Sequence, residues 1–312
     1  MSRIDIKKTY KLFIGGQFPR SESGRSYEIK GANGKFIANP ALASRKDLRD
    51  SVTAAKSALS GWSSATAFNR GQILYRIAEM LEGRADQFAS EISLASGVTE
   101  KKAHDEVLAA IDRWVWYAGW SDKLAATFGA TNPVAGPYYN FTIPEPQGVI
   151  AVAPSDDFLA FIDAIAPVIT SGNSVIALVP GASAVPAMTF AEVLATSDLP
   201  HGVINILTGS HDELAPWAAS HMDIDGFDIS KFALKRAEER KSESGAHNVS
   251  FFDPREDPIA DDHSYDLVCT FDCIHDMTRP REMIQTIRGA LADDGIWLLV
   301  DIKALETMQQ NV

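Results

Sequence analysis

Cys269 and Cys273 are the only thiols in the chain, and His275 follows close behind them. A closed zinc site wants four sulfur or nitrogen ligands. Nothing nearby completes the set, so this run predicts no metal centre. The thiols sit in Val268-Cys269-Thr270-Phe271-Asp272-Cys273, an apolar strand-to-turn stretch that predicts buried core cysteines. An acid offers different chemistry. Asp228 follows Gly226-Phe227, where a strand end runs into the charged helix Lys231–Arg240. A carboxylate there either caps the helix or points along the carboxyl edge of a sheet, where open α/β sheets hold ligands. In the second case it would accept hydrogen bonds from two ribose hydroxyls. Gly209 stands about 20 residues upstream, the separation of a phosphate-loop glycine from its ribose acid. No Lys or Arg occurs from Leu124 to Ser230. A phosphate bound in that stretch would rest on backbone N–H groups and helix ends alone. That suits a pyrophosphate better than a 2′-phosphate, which usually wants an arginine.

Residues 148–209 are the frame for such a site. Gly148–Pro154 is an apolar run ending in a turn, Phe158–Thr170 reads as a helix, and Ser174–Val179 as a second strand. A helix over Ala187–Ala195, a third strand over Gly202–Leu207 and a helix over Asp212–His221 follow. Apolar strands alternating with helices and bounded by turns predict a parallel sheet covered on both faces, a nucleotide-binding type of core. Upstream, Lys11–Phe18 reads as a tight hairpin turned by Gly15-Gly16, and Asn33-Gly34 marks a second one. A helical block follows. Its first helix starts at Ser44 or Arg45 and carries apolar residues at helical spacing to Trp62, with Ser60-Gly61 near its end; the second is capped by Asn69; others span Ala85–Ser96 and Thr99–Phe128. Trp114, Trp116, Tyr117 and Trp120 in the last of these read as a core stripe. Tyr138–Ile143 reads as a strand. Beyond residue 225 the β/α alternation resumes, with strands Asn248–Asp253, Tyr265–Asp272 and Ile296–Val300 and a helix Arg281–Leu291.

The expected fold class is therefore α/β. An open Rossmann-like parallel sheet core carries an amino-terminal helical block and hairpins, and a partial second Rossmann-like segment follows. The expected boundaries are 1–147, 148–222 and 223–312. A length of 312 residues agrees with two or three domains, and an apolar fraction of 46% is ample for their cores. A formal charge of −12 disfavours nucleic acid as a partner. The apolar stretches are too interrupted to span a bilayer, and the charged start, Arg3, Asp5, Lys7 and Lys8, has no signal-peptide character. With so few cysteines, a reducing, cytoplasmic setting is expected.

Particular residues carry a family resemblance. Phe13-Ile14-Gly15-Gly16-Gln17, Arg70 through Ile77, Ile143-Pro144-Glu145-Pro146-Gln147-Gly148-Val149, Gly172-Asn173-Ser174-Val175 and Pro200 through Gly209 occur in the order and spacing of an aldehyde dehydrogenase. Over about 11–222 the chain resembles the amino-terminal part of that superfamily. The resemblance implies an NAD site and a Pro-Trp-Asn turn after the first core strand, whose Asn holds the developing oxyanion. Here Pro154 is followed by Ser155-Asp156, so the Asn position carries Asp156, and a carboxylate repels an oxyanion where an amide donates to it. The family's Lys-Pro-x-Glu run, which holds the adenosine ribose, corresponds to Ala177-Leu178-Val179-Pro180-Gly181, with Leu178 or Val179 replacing the Lys and no Glu following. Gly209 keeps the first glycine of the phosphate turn, while Leu214 stands near the second, where a branched side chain would crowd a pyrophosphate. The family's nucleophilic Cys and general-base Glu lie further along, and nothing after Met222 matches either; Glu256 has no motif around it.

Residues 225–303 are instead similar to the later part of the cofactor domain of class I S-adenosylmethionine-dependent methyltransferases. That resemblance assigns Asp228 to the ribose hydroxyls, places Asp253 in the acidic patch around the adenine, and puts Asp272 through His275 at the methyl-transfer face. An imidazole titrates near neutral pH, so His275 there is either a proton acceptor or a turn residue without a task. The glycine-rich first loop of that family is missing. The expected protein is a join of two incomplete enzymes near 222–225: a degenerate aldehyde-dehydrogenase-like chain without the catalytic thiol and general base, and without dehydrogenase turnover. The alternatives are an NAD(P)-dependent oxidoreductase acting on aldehydes and an S-adenosylmethionine-dependent methyltransferase built on the carboxy-terminal segment. No catalytic residue is assigned. Gly209, Asp228 and Asp253 are the cofactor-binding candidates, with S-adenosylmethionine or NAD as ligand. The family resemblance implies a homo-oligomer or a related dehydrogenase subunit as partner.

Overall fold

The computed structural model describes residues 8–224, 226–227, 259–271 and 280–300. The chain divides into two compact units, Met1–Asp228 and Ile229–Val312.

The first unit opens with a small sheet of β1 (Lys8–Tyr10), β2 (Ile29–Lys30) and β3 (Phe36–Pro40), in the order β1-β3-β2. Gly15 and Gly16 turn the expected hairpin with φ of +59° and +74°, a region that side chains avoid. Ile14 and Gln17 exchange backbone bonds of 3.0 Å across it. Phe13 then exchanges bonds of 3.0 and 2.8 Å with Ile206, which stitches this segment to the central sheet.

The helical block follows as α1 (Arg45–Ser64), α2 (Ala67–Glu82), α3 (Ala85–Ser96), α4 (Glu100–Trp120) and the short α5 (Leu124–Phe128). Ser44 and Asp47 form a capping box at the start of α1. The second helix is capped by Thr66, not Asn69; the Thr66 hydroxyl accepts from the Asn69 N–H, so Asn69 stands one turn inside. The aromatic stripe of α4 also divides. Trp114 is fully buried and stacks on Phe190 at 5.8 Å, whereas Trp116 is 51% exposed. Two residues turn a helix by about 200°, so the two indoles cannot share a face. In place of the expected strand Tyr138–Ile143 only Phe141–Thr142 (β5) is extended, paired antiparallel with Ala130–Thr131 (β4).

The core is β6 (Val149–Val152), α6 (Phe158–Thr170), β7 (Ser174–Val179), α7 (Ala184–Leu194), β8 (Ile204–Thr208), α8 (His211–Ala219) and β9 (Gly226–Phe227). The sheet is parallel throughout, in the order β8-β7-β6-β9. Every residue of β7 is buried, as a central strand covered on both faces requires. Phe158, Phe161, Phe190 and Phe88 pack between the sheet and the helical block. The buried Trp62 indole donates to the Ile169 carbonyl at 2.9 Å and ties α1 to the end of α6.

The second unit contains β10 (Tyr265–Phe271), α9 (Pro280–Ala290) and β11 (Leu291–Val300), the two strands running parallel. Ile287 and Ala290 of α9 are buried. Leu267 pairs laterally with Ile296, and Cys269 with Leu298, and all four residues are exposed. Cys269 is therefore not the buried core thiol that its apolar neighbours suggest. Strand residues alternate between faces, and Cys269 falls on the more open one; Val268, Thr270 and Trp297, on the other, are half-buried, although Leu299 beside them is 49% exposed. Cys273 and His275 lie outside the described residues. Among the described residues no helix is long and apolar enough to cross a membrane.

Candidate functional site

In a parallel sheet the loops after the strands converge at the carboxyl edge, and the strand order reverses beside β6, between β7 and β9. This is where open α/β sheets bind ligands. Each loop at that edge has a specific polar arrangement.

The loop after β6 is Ser155-Asp156-Asp157. Asp157 caps α6, accepting from the Ala160 N–H at 2.6 Å, and the Ser155 hydroxyl donates to it at 2.9 Å. Two further N–H groups of α6, of Phe158 and Leu159, donate to the Glu106 carboxylate at 2.9 and 3.2 Å. Burial pushes the Glu106 carboxyl up, against the pull of those two bonds. Asp156 turns the other way. Its Oδ1 accepts from the Ser183 N–H at 2.7 Å and its Oδ2 from the Ala182 N–H at 3.2 Å, ahead of α7. Gly181 makes the turn that delivers these donors, at φ +49°, and a β-carbon there would collide with the Asp156 carboxylate.

The end of β8 is closed by the amino-terminal segment. The Thr208 hydroxyl donates to the Ala41 carbonyl at 2.6 Å, and the Ala43 N–H donates to the Thr208 carbonyl at 2.9 Å. Gly209 has φ +153° and lies beneath Leu42, and its N–H donates to the Val179 carbonyl at 3.1 Å. His211 bonds the Leu178 carbonyl through Nε2 at 2.7 Å. The first turn of α8 carries Asp212 and Glu213, and Glu213 pairs with Arg25 at 2.5 Å. Between the loops after β7 and β8, one strand away from the reversal at β6, lies a cleft of about 480 Å³, lined among others by Tyr27, Leu42, Pro180, Gly181, Gly209 and His211. Burial, reinforced by the Asp156 charge, pushes the Tyr27 phenol far above its ordinary value. Its hydroxyl lies 3.5 Å from the Gly181 carbonyl. A larger cleft, about 1030 Å³, is elsewhere, between α2 and α4. It brings together none of the sequence-derived candidates.

Of the cofactor candidates, Gly209 lines the cleft; Asp228 and Asp253 lie outside the described residues. Leu178 and Val179, where the Lys-like position falls, are both buried strand residues. Leu214 is buried as well, in a cluster with Leu12, Leu178 and Leu207. Its side chain fills core rather than forming part of the cleft lining. Glu106 and Tyr27 were not legible as site residues. Glu106 sits mid-helix and Tyr27 in a turn-rich stretch, and no local spacing marks either.

Residues 18–229 match the aldehyde dehydrogenase family, and residues 206–297 match a methyltransferase domain family. Cytosolic 10-formyltetrahydrofolate dehydrogenase of Xenopus laevis is 32% identical over 234 residues, which are 72% of this chain and 26% of that protein. Retinal dehydrogenase 2 of Gallus gallus is 33% identical over 229 residues, 71% of this chain and 43% of that one. The chain thus spans less than half the length of these curated relatives. A mutant aldehyde dehydrogenase from Bacillus cereus shares the fold, with a TM-score of 0.69 at 24% identity, over 78% of this chain and 52% of its own. The chain belongs to the aldehyde dehydrogenase family over its amino-terminal two-thirds, with a methyltransferase-like segment joined behind.

Proposed function

We propose that this chain is an aldehyde-dehydrogenase-type scaffold that does not itself turn over aldehydes. The observation that carries the reading is Asp156. An acid stands where the fold relatives' chemistry calls for an amide donor, and its carboxylate is spent on the Ala182 and Ser183 N–H groups. An oxyanion developing near it would meet a charge of its own sign. The sequence supports the same reading, because both cysteines fall within the methyltransferase-like match, not the dehydrogenase one. Purified protein incubated with short-chain and aromatic aldehydes and with NAD or NADP should give no saturable formation of reduced cofactor. Saturable turnover by the wild type would overturn the proposal, and turnover that persists when Cys269 and Cys273 are replaced together would also place the nucleophile elsewhere.

A second reading rests on the match of residues 206–297 to a methyltransferase domain. In this reading Asp228 holds the ribose hydroxyls of a nucleoside cofactor, S-adenosylmethionine before NAD, and Gly209 and Asp253 are the further cofactor-binding candidates. Calorimetry with both cofactors tests it, and an affinity unchanged by Asp228→Asn removes the assignment. For partners, the β4–β5 arm favours a second copy or a related dehydrogenase subunit, since Tyr138, Tyr139, Phe141 and Ile143 on it are all exposed. Sedimentation of the wild type against a Phe141→Lys, Ile143→Lys variant tests that expectation. A monomer in both cases counts against it.

A further inference from the structure

The Asn33-Gly34 pair that marks the second hairpin carries chemistry of its own. It is the only Asn-Gly step in the chain. It lies in the turn between β2 and β3, where Lys30 pairs with Phe36. The turn is closed twice. The Gly34 N–H donates to the Gly31 carbonyl at 2.8 Å, and the Gly31 N–H donates to the Lys35 carbonyl at 2.9 Å. Its base rests on the end of α3: a β-carbon at Gly31 would collide with the Leu94 carbonyl, and one at Gly97 with the Ala32 methyl. Its tip is open. Asn33, Gly34 and Lys35 are exposed, and nothing lies within 4 Å of the place that a Gly34 side chain would take. An asparagine amide is open to attack by the backbone nitrogen that follows it, and a residue without a β-carbon obstructs that approach least. One further contact favours the attack. The Lys35 N–H donates to Asn33 Oδ1 at 2.9 Å. That oxygen gains charge in the tetrahedral intermediate, and a backbone N–H aimed at it is an oxyanion donor.

We propose that Asn33 is a site of spontaneous deamidation in the folded protein, with water as the co-reactant. The Gly34 nitrogen gives its proton to solvent and bonds to Asn33 Cγ. The Cγ–Nδ2 bond breaks, and the amide nitrogen takes up a proton and leaves as ammonia. One water molecule then opens the five-membered imide. Attack at Cγ gives aspartate on an ordinary backbone. Attack at the main-chain carbonyl gives isoaspartate, which routes the backbone through the side chain and lengthens it by one methylene. Either product adds a negative charge at the tip. Isoaspartate also breaks the closure of the turn, because the extra methylene falls between the two residues, Gly31 and Lys35, that close it. The reaction waits for the Gly34–Gly31 bond to open, and openings at an exposed hairpin tip cost little. None of these steps depends on dehydrogenase or methyltransferase activity.

The test is peptide mass mapping of the full chain held folded at neutral pH, beside a synthetic peptide of residues 29–37 in the same buffer. The expected result is conversion at Asn33 to both products, at a rate within about tenfold of the peptide's. Asn33→Gln should stay unconverted over the same period, because its ring closure has six members instead of five. A slower conversion of the folded chain, including none, overturns the proposal, as does equal conversion of the Gln variant. Amide exchange at Gly31 then separates lengthened backbone from added charge. It should be at least tenfold faster in the isoaspartate form than in Asn33→Asp, which carries the charge on an ordinary backbone. Equal exchange in the two overturns the broken closure.

Discussion

Asp47 shows how a single carboxylate organises the entry to the helical block. It is buried, and it accepts from the Ser44 N–H at 2.8 Å, the Ser21 hydroxyl at 2.7 Å and the Glu22 N–H at 3.1 Å. Replacing it by Ala strands three donors, and a lost buried partner costs about 1–3 kcal/mol. Urea denaturation of Asp47→Ala should show a loss of that order, and a midpoint unchanged from the wild type would contradict the assignment. Glu106 makes a different demand. Burial raises its folded pKa, so the folded state holds the proton more tightly than the unfolded state. By linkage, its contribution to stability is greatest at low pH and declines as pH rises through the interval between its unfolded and folded values. Glu106→Gln keeps an acceptor for the Phe158 and Leu159 N–H groups without the titration. The wild-type minus Gln stability difference should therefore fall as pH rises through the carboxylate range. A difference that grows over that interval would show that the two backbone bonds outweigh burial.

Among the elements, α1 and α6 depend on one polar contact in an apolar setting. The Trp62 indole is fully buried, and its N–H satisfies the Ile169 carbonyl near the end of α6. A Phe at this position retains most of the packing but removes one donor from that carbonyl, which still accepts from the Gly172 N–H at 3.1 Å. The expected cost is that of one hydrogen bond, about 0.5–1.5 kcal/mol, read as a lower Tm in Trp62→Phe. A Tm within experimental error of the wild type would mean that the backbone bond alone satisfies the carbonyl. The same tie explains why α1 runs on to Ser64 although Ser60-Gly61 interrupts it: the tertiary contact at Trp62 holds its last turn.

For the whole molecule, the contrast between the two units decides behaviour in solution. The central sheet of the first unit is covered on both faces, and β7 is wholly buried. In the second unit Leu267, Ile296 and Leu298 stand exposed around Cys269 on one face of β10 and β11. Exposed apolar sheet surface promotes association. The variant Ile296→Lys, Leu298→Lys should bind less of an apolar fluorescent dye and scatter less light at equal concentration, with the melting of the first unit unchanged. Undiminished dye binding would place the sticky surface elsewhere, the β4–β5 arm being the next candidate.

What the sequence determined by itself was the architecture. Strand, helix, strand over Gly148–Val179 was legible because buried strands read as short apolar runs cut by Gly, Pro and Ser-Asp turns. The observed α6, Phe158–Thr170, β7, Ser174–Val179, and α3, Ala85–Ser96, coincide with the expected spans. The joined families were legible for the same reason, since motifs are local and ordered along the chain. Facing and partnership were decided only by the tertiary structure. The sequence placed Asp156 opposite an oxyanion, but folding brings Ala182 and Ser183 to it, and Glu106 to α6, across long separations that no local pattern records. Likewise an apolar neighbourhood did not bury Cys269, and indoles two residues apart did not share a core. Local pattern sets which element forms; which side chain meets which depends on how elements pack, and that is a long-range property of the fold.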